Sequence, residues 1–165
     1  MKLDLEMLRQ MHPLLPASTA IEYAHRAAVG LDRHSHKPGV VMEADLDGEP
    51  ERAHLHWIPS PTNDLAQIDR HRVTEDAAEA IALALVHEAR GWVVRRRLQR
   101  GESADWLLVD RKRSHVALEV SGIDGTDNGR RLREKKEQAR QTTAAPCKAA
   151  CVVELAAPRA TLATL

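Results

Sequence analysis

Two acids in this 165-residue chain stand where acids are expensive. Asp105 opens the apolar run ADWLLVD, Glu119 sits inside HVALEVS, and the basic turn DRKRSH joins the two runs. A carboxylate set in an apolar strand needs a partner, a proton or a metal ion. Period two puts His115, Ala117, Glu119 and Ser121 on one strand face and Val116, Leu118 and Val120 on the other, greasier one. Glu119 therefore lies on the face where a site can form. Asp105, at the start of its own strand, can come beside it without deep burial. Two carboxylates on adjacent strands suit Mg²⁺ (or Mn²⁺), which takes oxygen ligands and usually only one or two protein carboxylates, plus waters and phosphate oxygens. Such an ion activates water and offsets the charge of a phosphodiester. A nearby Lys or Arg would stabilise the transition-state phosphate.

The surrounding sequence has to position these groups. Residues 3–12 predict a short helix closed by Pro13 and Pro16. Thr19 followed by Glu22 fits a capping box that opens a helix running to about Val29, before Gly30. LDRHSHKPG reads as a loop, VVMEADLDGEPERAHLHWIP as a hairpin about DGEP, and SPTNDLAQIDRHRV as a connector. Thr74 is the expected cap of the clearest helix, TEDAAEAIALALVHEARG, with Gly91 after its end. WVVRRRLQ, ADWLLVD and HVALEVS read as strands and IDGTDNG as a loop. GRRLREKKEQARQ reads as a charged helix and ACVVELA as the final strand. The fold class is therefore α/β, with an N-terminal helical and hairpin extension over 1–73 and a core over 74–165, together one compact domain.

This order of elements resembles the PD-(D/E)XK nuclease superfamily, in particular its small resolvase-type members. The match covers about residues 74–156, and 13 residues separate Asp105 from Glu119, which suits strand, turn, strand. The resemblance implies a restriction-endonuclease-like core of helix, three strands, helix and strand, and a metal-dependent endonuclease that hydrolyses or binds DNA. It carries Asp105 and Glu119 over as metal ligands. Glu79, with Glu88 as competitor, matches the helix acid that some members add. The motif lysine falls at position 121, which is Ser121, and a hydroxyl supplies no positive charge. Some members move that lysine to the following helix, where Lys135 and Lys136 are the candidates. Arg95, Arg97, Arg130, Arg131 and Arg133 are the expected phosphate contacts.

The charge distribution points the same way. The net charge is zero, yet residues 1–89 carry a balance of −7 and residues 90–140 one of +6. Apolar content of 43% and charged content of 29% mark a soluble globular chain rather than a disordered one. Phe is absent, and Tyr23, Trp57, Trp92 and Trp106 are the whole aromatic set. That scarcity argues against an aromatic stacking platform for single strands. Cys147 and Cys151 make neither a disulfide framework nor a zinc pattern and read as reduced thiols. The H-x-H pairs His34/His36 and His54/His56 lack completing ligands for zinc, and no serine stands in a nucleophile-elbow context. The absence of a long apolar run predicts a cytoplasmic protein without a membrane partner. A blander arrangement pairs Asp105 and Glu119 with Arg95, Arg97 or Lys112 across the sheet. Ser121 also leaves open a degenerate, non-catalytic subunit that docks a homodimer mate or a larger complex through residues 1–58.

Overall fold

The computed structural model describes residues 1–61, 67–125 and 128–165. The parts of the expected connector (60–73) and of the IDGTDNG loop at 62–66 and 126–127 lie outside the described residues. In chain order the elements are β1 (Lys2–Asp4), a 3₁₀ turn (Leu5–Met7), α1 (Leu8–Met11), α2 (Ala17–Arg33), β2 (Val41–Leu46) and β3 (Glu49–His56). Then follow α3 (Arg70–Arg90), β4 (Val93–Arg97), β5 (Trp106–Val109), β6 (His115–Ile123), α4 (Asn128–Arg140), β7 (Cys147–Glu154) and β8 (Arg159–Thr164).

The eight strands of the described residues join one mixed sheet in the order β1-β3-β2-β8-β7-β6-β5-β4. β4, β5 and β6 form an antiparallel meander, and α4 carries the chain from β6 to its parallel neighbour β7. β8 turns back antiparallel to β7 and pairs parallel with β2 on its other edge. The N-terminal strands thus extend the same sheet rather than forming a separate body. Asp47 (φ 63°) and Gly48 (φ 89°) make the two-residue turn of the β2–β3 hairpin. Both take the left-handed conformation that matches strand twist.

The layers are α2 over α3 over the sheet, with α4 on the opposite face. Every residue of α3 from Ala77 to Val86 is buried, because α2 covers the side that the sheet does not. Val116, Leu118 and Val120 of β6 face the α3 side, as period two predicts. Ala117 faces the other way and packs with Leu98, Leu107 and Ala145.

Several local expectations change. Residues 3–12 do not form one helix: Leu3 is in β1, paired in parallel with β3, and only Leu8–Met11 is α-helical. α2 begins after Pro16 without a side-chain cap, so the Thr19/Glu22 box is not formed. α2 also runs through Gly30 to Arg33, since glycine there permits contact with α3. A Cβ at Gly30 would lie 3.3 Å from Ala77 Cβ and 3.1 Å from Leu155 Cδ1. The cap of α3 is Asp69, whose carboxylate accepts the Arg72 N–H, and Thr74 lies inside the helix with its hydroxyl donating to the Arg70 carbonyl. β7 is not the last strand, because β8 follows it. Among the described residues no helix is long and apolar enough to cross a membrane.

Candidate active site

The site exists because β5 starts late. β5 pairs with β6 only over His115–Leu118, so Glu119–Ile123 of β6 run on beside β7 with no strand of the described residues on their other edge. Continuing the register one step sets Asp105 opposite Glu119, the spacing at which directly opposed side chains meet. Asp105 Oδ2 accepts the Val120 N–H at 2.8 Å, which satisfies a backbone donor that β5 would otherwise have paired. The gap left by β5 is a cleft of about 160 Å³, lined by Glu75, Glu79, Arg97, Asp105, Ser121 and Gly122 with Arg131 and Lys135. Because no strand fills it, side chains from α3 on one face and α4 on the other reach the same space.

Helix α4 supplies the cations. Lys135 Nζ donates to Glu119 Oε1 at 2.5 Å, with Glu119 only 2% exposed. One turn earlier, Arg131 Nε donates to Ser121 Oγ at 2.8 Å. Position 121 therefore has a guanidinium held on its hydroxyl, and the carboxylate two residues before it has an ammonium. Burial pushes the Glu119 carboxyl up to about 7, the Asp105 charge adds to the rise, and Lys135 opposes it. Asp105 is also raised, by burial first, against the Val120 hydrogen bond. The Arg131 charge is shared with Glu134, 3.3 Å from its Nη1, so Asp105 and Glu119 have one ammonium between them in a poorly solvated place, which favours protonation or a further cation.

Glu79 has a different environment. Its Oε2 accepts from Tyr23 Oη at 2.7 Å, from Trp106 Nε1 at 2.8 Å and from Arg97 at 3.2 Å, while Oε1 accepts from Arg97 at 2.8 Å. The Arg97 guanidinium also donates to Tyr23 Oη and lies 5.1 Å from the Trp106 ring centre. The competitor Glu88 is not in the cleft and accepts from His87 Nδ1.

The remaining expected residues are scattered. Lys136 is half-buried and lies outside the cleft lining. Arg130 bonds Glu134, Arg133 is exposed, and Arg95 is exposed at an irregularity in the β4–β5 register. The cross-sheet pairing of Asp105 and Glu119 with Arg95, Arg97 or Lys112 is not formed, since Lys135 and the Val120 amide take those places. Among the described residues no three His, Cys, Asp or Glu side chains gather as a metal-binding group. His34 bonds Asp124 and His36 bonds the Leu155 carbonyl. Burial pushes the Cys151 thiol up to about 12. Sequence reasoning missed the socket that Ser121 offers Arg131 and the donors around Glu79; only the i, i+4 spacing of Arg131 and Lys135 on one helix face hinted at the first.

Comparison with protein-family models, curated proteins and solved structures finds no match to this chain.

Proposed function

We propose that this chain is a metal-dependent nuclease-like protein that hydrolyses or binds nucleic-acid phosphodiesters, DNA in the first instance, on a restriction-endonuclease-like core of the PD-(D/E)XK type. The observation that carries this is Lys135, delivered from α4 onto Glu119 beside Asp105, where Ser121 supplies no charge. Oxygen donors with surplus negative charge fit Mg²⁺ or Mn²⁺, and Asp105 and Glu119 are the residues to hold the ion. When bound, the cation supplies positive charge against a phosphodiester.

The chain's own residues do the rest. Lys135, tethered by Glu119, presents an ammonium to the non-bridging oxygens of a phosphate entering the cleft. Asp105, fixed by the Val120 amide, keeps its other oxygen for the site. Arg131, fixed on Ser121, adds a second donor on the same wall. Arg95, Arg130, Arg133 and Lys136 lie outside the cleft lining, where flanking phosphates of a duplex would run. A cytoplasmic setting fits such a role.

A second reading has its own support. Ser121 replaces the motif lysine, and internal cations already partner two of the three acids, as in a degenerate nuclease-fold subunit acting as an interaction module through residues 1–58. Incubation of supercoiled and branched DNA with the protein and Mg²⁺ or Mn²⁺ separates the two. The nuclease reading expects cleavage in wild type that Glu119→Gln and Lys135→Ala abolish. Cleavage that survives Glu119→Gln refutes the site. No cleavage, with no metal-dependent rise in Tm, favours the interaction module, because a ligand bound only to the native state must stabilise it.

A further inference from the structure

We infer that Glu79 is the anchor of Arg97 rather than a metal ligand, and that the anchored Arg97 is a fixed phosphate contact on the cleft wall opposite Arg131. This rests on the nuclease reading of the cleft and changes the role that the family resemblance gives to the helix acid.

The donor count carries it. An ionised carboxylate offers about four acceptor sites. Glu79 receives four donors from three different elements: Tyr23 of α2, Trp106 of β5, and two N–H groups of Arg97 at the end of β4. The residue is 8% exposed, so water cannot take over those donors if they are released. A metal on Oε2 would leave the Tyr23 hydroxyl or the Trp106 indole buried without a partner, and a metal on Oε1 would have to displace the Arg97 guanidinium or sit against its positive charge. Asp105 and Glu119 are in no such position: among the described residues each carboxylate accepts one hydrogen bond, on one oxygen, and has the other to spare.

Arg97 is the beneficiary. Its side chain is 49% exposed although its guanidinium is held by a buried acid. Two Nη1 bonds and one Nη2 bond use three of its five N–H donors. The second Nη2 hydrogen and Nε–H remain for a ligand. Contact with the Trp106 ring fixes the plane of the group. A planar fork held in this way suits bidentate recognition of a phosphate better than a mobile ammonium does. Arg97 and Arg131 line the same cleft as Asp105 and Lys135. One guanidinium is moored to an acid on the α3 side and the other to a hydroxyl on the α4 side.

Elementary electrostatics makes the test sharp. Removing a negative charge beside a polyanion site should tighten nucleic-acid binding. Removing an anchor should weaken it. Mn²⁺ affinity is measured by the loss of the free-ion EPR signal for wild type, Glu79→Gln, Asp105→Asn and Glu119→Gln. Affinity for a short DNA duplex in Ca²⁺ is measured by fluorescence anisotropy for wild type, Glu79→Gln, Arg97→Ala and the double variant. The anchor role expects Glu79→Gln to hold Mn²⁺ within about twofold of wild type while Asp105→Asn and Glu119→Gln weaken it tenfold or more. It expects Glu79→Gln and Arg97→Ala each to weaken DNA binding about five- to tenfold, with the double variant no worse than Arg97→Ala, because residues acting through one contact are not additive. Circular dichroism and Tm confirm that each variant is folded. Loss of Mn²⁺ affinity in Glu79→Gln, or DNA binding that tightens in it, overturns the anchor assignment alone. Wild-type protein that binds neither Mn²⁺ nor DNA overturns the nuclease reading, and the phosphate contact with it.

Discussion

His12 offers a quantitative test of the fold that does not depend on any activity. The residue is fully buried; its Nε2 donates to the Leu83 carbonyl of α3 at 3.1 Å and its Nδ1 accepts the Val94 N–H of β4 at 3.1 Å. The ring therefore joins the end of α1 to both α3 and β4, in one tautomer. Protonation would turn the acceptor nitrogen into a donor aimed at another donor. Burial pushes the imidazole from its ordinary 6.5 down to about 4, the Leu83 hydrogen bond opposes this, and the edge-on ring of His87, 5.6 Å away, adds to it. The unfolded chain takes up a proton at about 6.5 and the folded chain does not until about 4. Stability from this group is thus fully present above pH 6.5 and lost as pH falls toward 4. At 1.36 kcal/mol per pH unit the loss is about 3 kcal/mol, a large share of the ~5–15 kcal/mol of a typical domain. Urea unfolding of wild type and His12→Asn between pH 4 and 8 measures it. The difference between the two proteins cancels every other titrating group, including Glu119, whose raised value acts with the opposite sign. The expected result is a wild-type advantage that shrinks by about 3 kcal/mol from pH 7 to pH 4. A difference that stays flat with pH refutes the buried, neutral histidine.

Three further outcomes are expected. Gly122→Ala would bring a Cβ to 2.2 Å from the Thr74 backbone carbonyl oxygen, which no rotamer change relieves, so it should lower stability by about 3 kcal/mol or more in chemical denaturation, whereas Gly125→Ala meets nothing within 4 Å. Asp69→Ala should cost about 1 kcal/mol by removing the cap of α3, measured as a lower urea midpoint, while Thr74→Val, inside the helix, should cost less. Glu119, raised by burial to about 7 from an ordinary 4.5, favours the metal-free fold below pH 4.5 and ceases to as pH rises through 7. Mn²⁺ should accordingly raise Tm more at pH 8 than at pH 5.5, where protons compete for the carboxylate; equal shifts at both values would exclude Glu119 as a ligand.

Much of the architecture was legible in local chemistry. The Asp47–Gly48 turn announced the β2–β3 hairpin, the acid-bearing runs announced β5 and β6, and Pro146 preceded β7. What failed depended on distant partners. Leu3, Leu5 and Leu8 suit a helix as well as a strand, and only parallel pairing with Leu55 on β3 decides for β1. RATLAT, rich in alanine and threonine, carries little periodicity and becomes β8 because two strands flank it. Glu79 could be placed on α3 but not understood, since a helix buried on every side has no polar face to read. Its donors come from Tyr23, Arg97 and Trp106, which no spacing rule links. Lys135 was legible as a charge on the right helix; its seat on Glu119 follows from how α4 lies across β6.

The position of β8 has a consequence for biosynthesis. Arg159 meets Glu43 across 116 residues of chain, and among the described residues β8 is the neighbour of β2 on that side. The β2–β3 hairpin is made with one flank unpaired, and that flank closes only when β8, 116 residues beyond Glu43 at Arg159, has been made. Pairings this remote in sequence form slowly, so a stalled or truncated nascent chain would present a ready strand edge to its neighbours and become a substrate for chaperones.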